Sequence, residues 1–165
     1  IAVLMIQLRV RDLMTTQVIT VKPTDTVRQA VIKMAVDNVT GAPVVDNRNH
    51  VVGIISQNDV LRLIVKEQNK LIRDYPEPHY LLGVPMDGEN PDEAVTAANK
   101  EISQMKVEDI MVRSVLYISA DAEIIEALQA MMTMGVNRLP VLEQGVLIGT
   151  ISRSDIIFFI YKKKV

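Results

Sequence analysis

Gly53-Ile54-Ile55-Ser56-Gln57-Asn58-Asp59 recurs as Gly149-Thr150-Ile151-Ser152-Arg153-Ser154-Asp155, and this recurrence decides the fold. In each copy an apolar, β-branched run ends on Ser and passes directly into a segment carrying Asp three residues later. Working outward, Pro43-Val44 recurs as Pro140-Val141, and Val10-Arg11-Asp12-Leu13-Met14 recurs as Val107-Glu108-Asp109-Ile110-Met111, both 97 residues on. The spacing falls to 96 between Gly53 and Gly149, so the one-residue difference belongs to the turn between two strands. A repeat of this kind means that each half is one supersecondary unit.

Within each half, strand-like and helix-like periodicities alternate. Val18–Val21 and Val115–Ile118 are short strand candidates, each followed by a helix that Thr24 or Asp121 can cap with a side-chain oxygen. Apolar residues at Val27, Ala30, Val31, Met34 and Ala35, and at Ile124, Ala127, Leu128, Met131 and Met132, form the stripe of a helix lying on a core. Strand pairs 43–46 with 51–56 and 140–143 with 146–152 follow, the second joined by the two-residue turn Gln144-Gly145. An apolar helix closes each half, over 58–65 and 154–160. Each half therefore reads β-α-β-β-α, an α/β (α+β) arrangement with a small three-stranded sheet and two helices. The halves span 8–65 and 107–165.

The linker 66–106 is long for a connection and should hold structure of its own. Asn90-Pro91-Asp92-Glu93 predicts a helix start with Asn90 as N-cap, and a helix running to about Met105. The segment 75–90, with three prolines and two glycines, reads as a loop.

Composition narrows the function. Charged residues make up 23% of the chain and the formal net charge is −2, which disfavours a nucleic-acid binder, since such a protein needs a basic face. Lys162-Lys163-Lys164 reads as a solvated tail. With no cysteine there is no disulfide, thiolate nucleophile or thiolate metal site, and a cytoplasmic location is favoured. No apolar run approaches the roughly 18 residues of a membrane span. Because the chain starts on Ile1, upstream residues are expected and an N-terminal address stays open. His50 and His79 have no second histidine at ligand spacing, and Asp87, Glu89, Asp92 and Glu93 lack the ligand order of a calcium loop. No nucleophile–base constellation or phosphate-binding glycine loop is visible, so no catalytic residue is expected.

The Ser-x-x-Asp pairs carry two readings. As a capping box, Ser caps the helix and the acid lies near its positive end. As a ligand site, the unpaired N–H groups and the Ser hydroxyl suit a phosphate, and the Asp suits both hydroxyls of a ribose. The glycine upstream would let a backbone or a ligand approach the strand.

Taken together, D-[LI]-M, a capped helix, x-x-P-V and G-h-h-S-x-x-D, each present twice, resemble the cystathionine-β-synthase (CBS) domain family, as a tandem pair or Bateman module. The resemblance covers nearly the whole chain outside the linker. It implies two repeats packed with pseudo-two-fold symmetry, with clefts that bind AMP, ADP, ATP or S-adenosylmethionine as a regulatory ligand, and homodimers formed through helices. Carried over, one nucleotide site would use Ser152, Ser154 and Asp155, with Asn137 and Arg138 near phosphate and Ile19, Val39 and Thr40 near the base. The other would use Ser56, Asn58 and Asp59, with Leu116 and Val136 near the base. Arg153 and Arg138 lie around the second motif where the first has Gln57 and Thr40-Gly41, so the Asp155 site should hold phosphate better. The alternative is a structural dimerisation module whose Ser-x-x-Asp motifs only cap helices. The regulated partner is not legible.

Overall fold

The computed structural model describes residues 7–83, 85, 86, 88 and 90–162. Ile1, Asp87, Glu89 and Lys163-Lys164 of the sequence analysis lie outside the described residues. The chain divides into two compact units that do not follow the order of the sequence: one comprises residues 1–18, 47–51 and 114–165, the other 19–46 and 52–113.

The first unit is built on β3 (Ile118–Ser119), β4 (Arg138–Glu143) and β5 (Val146–Ser152), a three-stranded sheet in the order β3-β4-β5. β3 runs parallel to β4, and β4 antiparallel to β5. The tight turn matches the expectation from Gln144-Gly145, which take φ values of 52° and 81°, the left-handed pair that such hairpins need. Helices α6 (Ile124–Met134) and α7 (Arg153–Lys162) cover the sheet, and Ala127, Met131, Leu139, Val141, Ile151 and Ile156 form its core.

Into that core comes a residue from the far end of the chain. The short helix α1 (Val10–Leu13) buries Val10 completely, a gain of roughly 1.5–3 kcal/mol for a fully enclosed aliphatic side chain. Its backbone is hooked by Val10 N–H to the Ala122 carbonyl and Arg11 N–H to the Ala120 carbonyl, both at 2.9 Å.

The second unit repeats this arrangement with the opposite partner. Helix α2 (Val27–Val36) and the strands β1 (Gly41–Val45) and β2 (Val51–Ser56) surround Val21, Ala30, Met34, Ala42, Val44 and Ile55. The incoming helix is α5 (Val107–Ile110), which buries Val107 there and bonds through Val107 N–H to the Asp25 carbonyl at 2.8 Å and through Glu108 N–H to the Pro23 carbonyl at 3.0 Å. Each D-h-M helix thus completes the core that holds the other repeat's strands and helix. Two glycines permit it: a methyl at Gly149 would lie 2.8 Å from the Thr15 carbonyl oxygen, and one at Gly53 would lie 2.6 Å from the Met111 sulfur and 2.9 Å from the Val112 carbonyl oxygen. The close approach expected at these glycines is made by backbone and a methionine.

Several local expectations shift. The strand expected over 18–21 reduces to one parallel bridge, Val21 to Val44, and that over 115–118 to the two residues of β3, so the first repeat has a two-stranded sheet. Helix α2 is capped by Thr26 and not Thr24, because Gln29 returns the bond: Thr26 Oγ1 accepts from Gln29 N–H, and Gln29 Oε1 accepts from Thr26 N–H. Helix α6 starts after Glu123 without a side-chain cap, while Asp121 pairs with Arg11 at 3.3 Å. On the expected stripes, Val27, Ala30, Met34, Ala127 and Met131 are buried, but Val31 and Met132 are exposed.

The linker folds onto the second unit. Helix α3 (Gln57–Asp74) continues nine residues past the expected end, and α4 (Glu93–Gln104) follows a short turn at Leu81–Gly83. Leu63, Leu71, Leu81, Val95, Ala98 and Ile102 pack with Val27 in a separate core. The return of the chain is pinned by Gln68, whose side chain donates to the His79 carbonyl at 2.7 Å and accepts from Leu81 N–H at 2.8 Å. Asp92, not Asn90, caps α4, accepting from Ala94 and Val95, and the Asn90 side chain instead holds the Asp92 N–H. His79 Nδ1 lies 2.5 Å from Asp92, and this hydrogen bond holds the Asp92 carboxyl below the usual aspartate range.

Candidate functional site

Both Ser-x-x-Asp motifs are capping boxes in the folded chain. At the start of α3, Ser56 Oγ accepts from Asp59 N–H at 3.3 Å and Asp59 Oδ2 accepts from Ser56 N–H at 2.8 Å. At the start of α7, Ser152 Oγ accepts from Asp155 N–H at 3.1 Å and Asp155 Oδ2 accepts from Ser152 N–H at 2.9 Å. Capping therefore uses one oxygen of each carboxylate. What differs is the other oxygen.

Asp59 is 7% exposed, and its Oδ1 is bound by Arg62 Nη1 at 3.1 Å. That carboxylate is neutralised by a cation of its own helix. The position corresponding to Arg62 in the second repeat is Phe158, which supplies no charge. Asp155 is half-buried, and its Oδ1 has one contact among the described residues, the Thr15 hydroxyl at 3.4 Å, a long and weak bond. The residue corresponding to Thr15 is Val112. Asp155 thus keeps an acceptor with unused capacity. The contrasts Arg62/Phe158 and Thr15/Val112 were present in the sequence as mismatches within the repeat, although neither residue was singled out there.

The strand ends place the remaining candidates. In the first unit Arg138 faces Ser152 across the β4–β5 ladder, and the Asn137 carbonyl accepts the Arg153 N–H at 3.0 Å. Asn137, Arg138, Ser152, Ser154 and Asp155 therefore cluster at one helix N-terminus, with Asn137, Arg138 and Ser154 exposed and Ser152 buried. In the second unit the Thr40 carbonyl accepts the Gln57 N–H at 2.9 Å, which brings Thr40 beside Ser56, Asn58 and Asp59. Ile19 and Val39 pack against the core of the second unit, and Leu116 and Val136 against that of the first.

Arg153, expected near phosphate, donates from Nε to the Val136 carbonyl and from Nη2 to the Met131 carbonyl, both at 3.1 Å. These carbonyls lie at the end of α6, where Gly135 takes the left-handed conformation, and the Met131 carbonyl also accepts from the Gly135 and Val136 N–H groups. The guanidinium is spent as a clamp on that terminus, favourable also against the negative end of the helix. Arg153→Ala is expected to lower stability by about 1 kcal/mol in urea unfolding; an unchanged unfolding midpoint would reject the clamp.

Among the described residues no group of three or more His, Cys, Asp or Glu is placed to hold a metal ion, and no helix is long and apolar enough to cross a membrane.

The CBS domain model matches residues 10–66 and 107–162. The chain belongs to the CBS-domain family, as a tandem pair. An uncharacterized protein of Methanocaldococcus jannaschii is 33% identical over 122 residues, which cover 73% of each chain. Inosine-5'-monophosphate dehydrogenase of the same organism is 33% identical over 141 residues, 85% of this chain but 21% of that enzyme. Among solved structures, CBSX2 in complex with AMP superposes with a TM-score of 0.68 at 24% identity, covering 95% of this chain and 98% of that one. A CBS domain pair in complex with 5-methylthioadenosine and S-adenosyl-L-methionine superposes with a TM-score of 0.66 at 17% identity, with the same coverages. At these identities the likeness carries the mixed α/β CBS-pair fold. Those two structural relatives bind AMP or S-adenosylmethionine.

Proposed function

We propose that this CBS pair is a non-catalytic regulatory module that binds an adenine nucleotide or related adenosyl ligand, and that the Asp155 helix start is its principal anchor. One observation supports this above the others: the second Asp155 oxygen is left with a single long hydroxyl contact, whereas its counterpart in Asp59 is closed by Arg62. A carboxylate oxygen with spare lone pairs beside a helix N-terminus offers an acceptor for ribose hydroxyls, and the N–H groups there, with Asn137 and Arg138, suit phosphate. Ser152 and Ser154 complete this anchor, and Ile19, Val39 and Thr40 are carried over as base-side residues. Ser56, Asn58 and Asp59, with Leu116 and Val136, form the second proposed set, which needs Arg62 displaced before a ribose can be held.

Titration with AMP, ADP, ATP and S-adenosylmethionine under thermal unfolding tests the reading. At least one ligand is expected to raise the melting temperature progressively with the logarithm of its concentration, since a ligand of the native state stabilises by mass action. A melting temperature indifferent to all four would favour the structural-module reading.

Homodimerisation is part of the same proposal. Helices α6 and α7 expose Ile125, Met132, Ile157 and Phe158 in the first unit, and α2 and α3 expose Ile32, Val36, Leu61 and Val65 in the second. Apolar side chains grouped on helix faces are typical of association surfaces. Sedimentation at micromolar concentration is expected to show a dimer; a monomer would reject it.

A further inference from the structure

We propose that Arg62 makes the Asp59 helix start selective for adenosyl ligands that carry a phosphate, by exchanging its carboxylate partner for the phosphate as the ribose enters. The inference rests on the adenosyl-ligand reading above and names the ligand class of its second site. Asp59 is a covered carboxylate. Its Oδ2 accepts from the Ser56 N–H at 2.8 Å and from the Ser56 hydroxyl at 3.0 Å, its Oδ1 accepts from Arg62 Nη1 at 3.1 Å, and its side chain is 5% exposed. Arg62 is the cover. Its side chain is 72% exposed and has no other partner among the described residues, so most of its donors face water.

The place of Arg62 on α3 explains what keeps it there. A helical side chain leans toward the N-terminus, so Arg62, three residues past Asp59, lays its head back over the helix start. That end of the helix dipole is positive and disfavours a cation, which leaves the Asp59 carboxylate to hold it. Ribose hydroxyls alone are poor replacements. They would offer neutral donors to a buried carboxylate whose ion pair had been broken, and breaking such a pair is costly. A phosphate changes the balance, because it gives Arg62 a second anion to bind while the hydroxyls take Oδ1, and it is itself favoured at the helix start. The repeat supports the exchange. In the second half Arg138 faces Ser152 from the strand, and Phe158 fills the helical position of Arg62. In the first half the strand position is Gly41, where a Cβ would lie 3.6 Å from that of Ser56, and the arginine comes from the helix instead. Each half thus sets an arginine beside its Ser-x-x-Asp start from opposite sides, and the helical one also closes the acceptor.

AMP and adenosine differ by the phosphate and are the probes, titrated into the whole isotope-labelled chain carrying Asp155→Asn, with the amides of residues 56–62 as the readout. With Arg62 in place, AMP is expected to shift these amides saturably and adenosine to bind about thirtyfold more weakly. Arg62→Met should narrow that ratio to about threefold, by weakening AMP and also by tightening adenosine. The tightening is the sign of exchange, since an arginine that only attracted phosphate would leave adenosine unchanged. Arg62→Lys keeps a cation over the carboxylate and should keep adenosine weak. The proposal is overturned if adenosine binds as tightly as AMP in the presence of Arg62, if Arg62→Met leaves adenosine unchanged, if Arg62→Lys binds adenosine as well as Arg62→Met does, or if neither probe moves these amides. The chain with Asp155 intact tells the two readings apart. AMP shifts at residues 152–158 there, with none at 56–62 in the Asp155→Asn chain, would reject this inference alone, whereas silence at both would remove the nucleotide reading as well.

Discussion

Asp155→Asn is expected to weaken binding of AMP by tenfold to about a hundredfold, some 1.5–3 kcal/mol, while the free protein unfolds close to where the wild type does. The substitution separates the two tasks of this side chain. Capping needs one acceptor for the Ser152 N–H, and an amide oxygen can supply that from the position of Oδ2. Anchoring a ribose needs the second oxygen as a charged acceptor, and an amide places an NH2 group there, which can donate but not accept. Asp155→Ala removes both functions, so it should add a loss of about 1 kcal/mol of stability from the missing cap. Asp59→Asn gives the internal comparison. Its outer oxygen is already held by Arg62, so the variant should lose an ion pair and leave AMP affinity nearly unchanged. Calorimetric titration of the three variants checks the set. Equal losses of affinity in Asp59→Asn and Asp155→Asn, or none in either, would remove Asp155 from its proposed role.

The contrast between the two carboxylates shows which parts of the molecule could be read beforehand. The repeat, the β-α-β-β-α order and the capped Ser-x-x-Asp helices were legible because each rests on local spacing that appears twice. The contacts of Arg153 are not legible in the sequence because both of its destinations are local in space but not in sequence: the carbonyls it binds lie 17 and 22 residues back, at the end of α6. The shift from Thr24 to Thr26 had a readable cause, since only Thr26 has a Gln three residues later to return the bond. The nine added residues of α3 follow from the linker core, where Leu71 finds Leu81, Val95 and Ile102 to pack against. No periodicity within 58–65 could have announced that. The exchange of α1 and α5 between cores was hidden for a related reason, because Val10 and Val107 occupy matching places in the repeat and nothing in either segment says which core it will enter.

That exchange supplies the other large expected effect. Gly149→Ala and Gly53→Ala should each destabilise the fold by about 1–3 kcal/mol, measured by urea unfolding. The reason lies in which atoms cannot retreat. Beside Gly149, the Met14 sulfur at 2.9 Å could swing away, but the Thr15 carbonyl at 2.8 Å is backbone. It accepts from the Thr150 N–H at 2.9 Å, while the Thr15 N–H donates to the Thr150 carbonyl at the same distance. Making room for a methyl means opening this reciprocal pair. At Gly53 the Val112 carbonyl is held in the same way, by an exchange of bonds with Ile54 at 2.8 and 2.9 Å. Trimming the methionine should therefore rescue little: Met14→Ala combined with Gly149→Ala should remain well below the stability of Met14→Ala alone. The two glycines differ in their consequences for binding. Thr15 also carries the hydroxyl that touches Asp155, so displacing its backbone at Gly149 disturbs the proposed ribose anchor, whereas Val112 carries no polar side chain to disturb. Gly149→Ala is accordingly expected to lower both stability and AMP affinity, and Gly53→Ala stability alone. Either variant lying within 0.5 kcal/mol of wild type, at the scale of ordinary surface changes, would sink the account of backbone-limited packing.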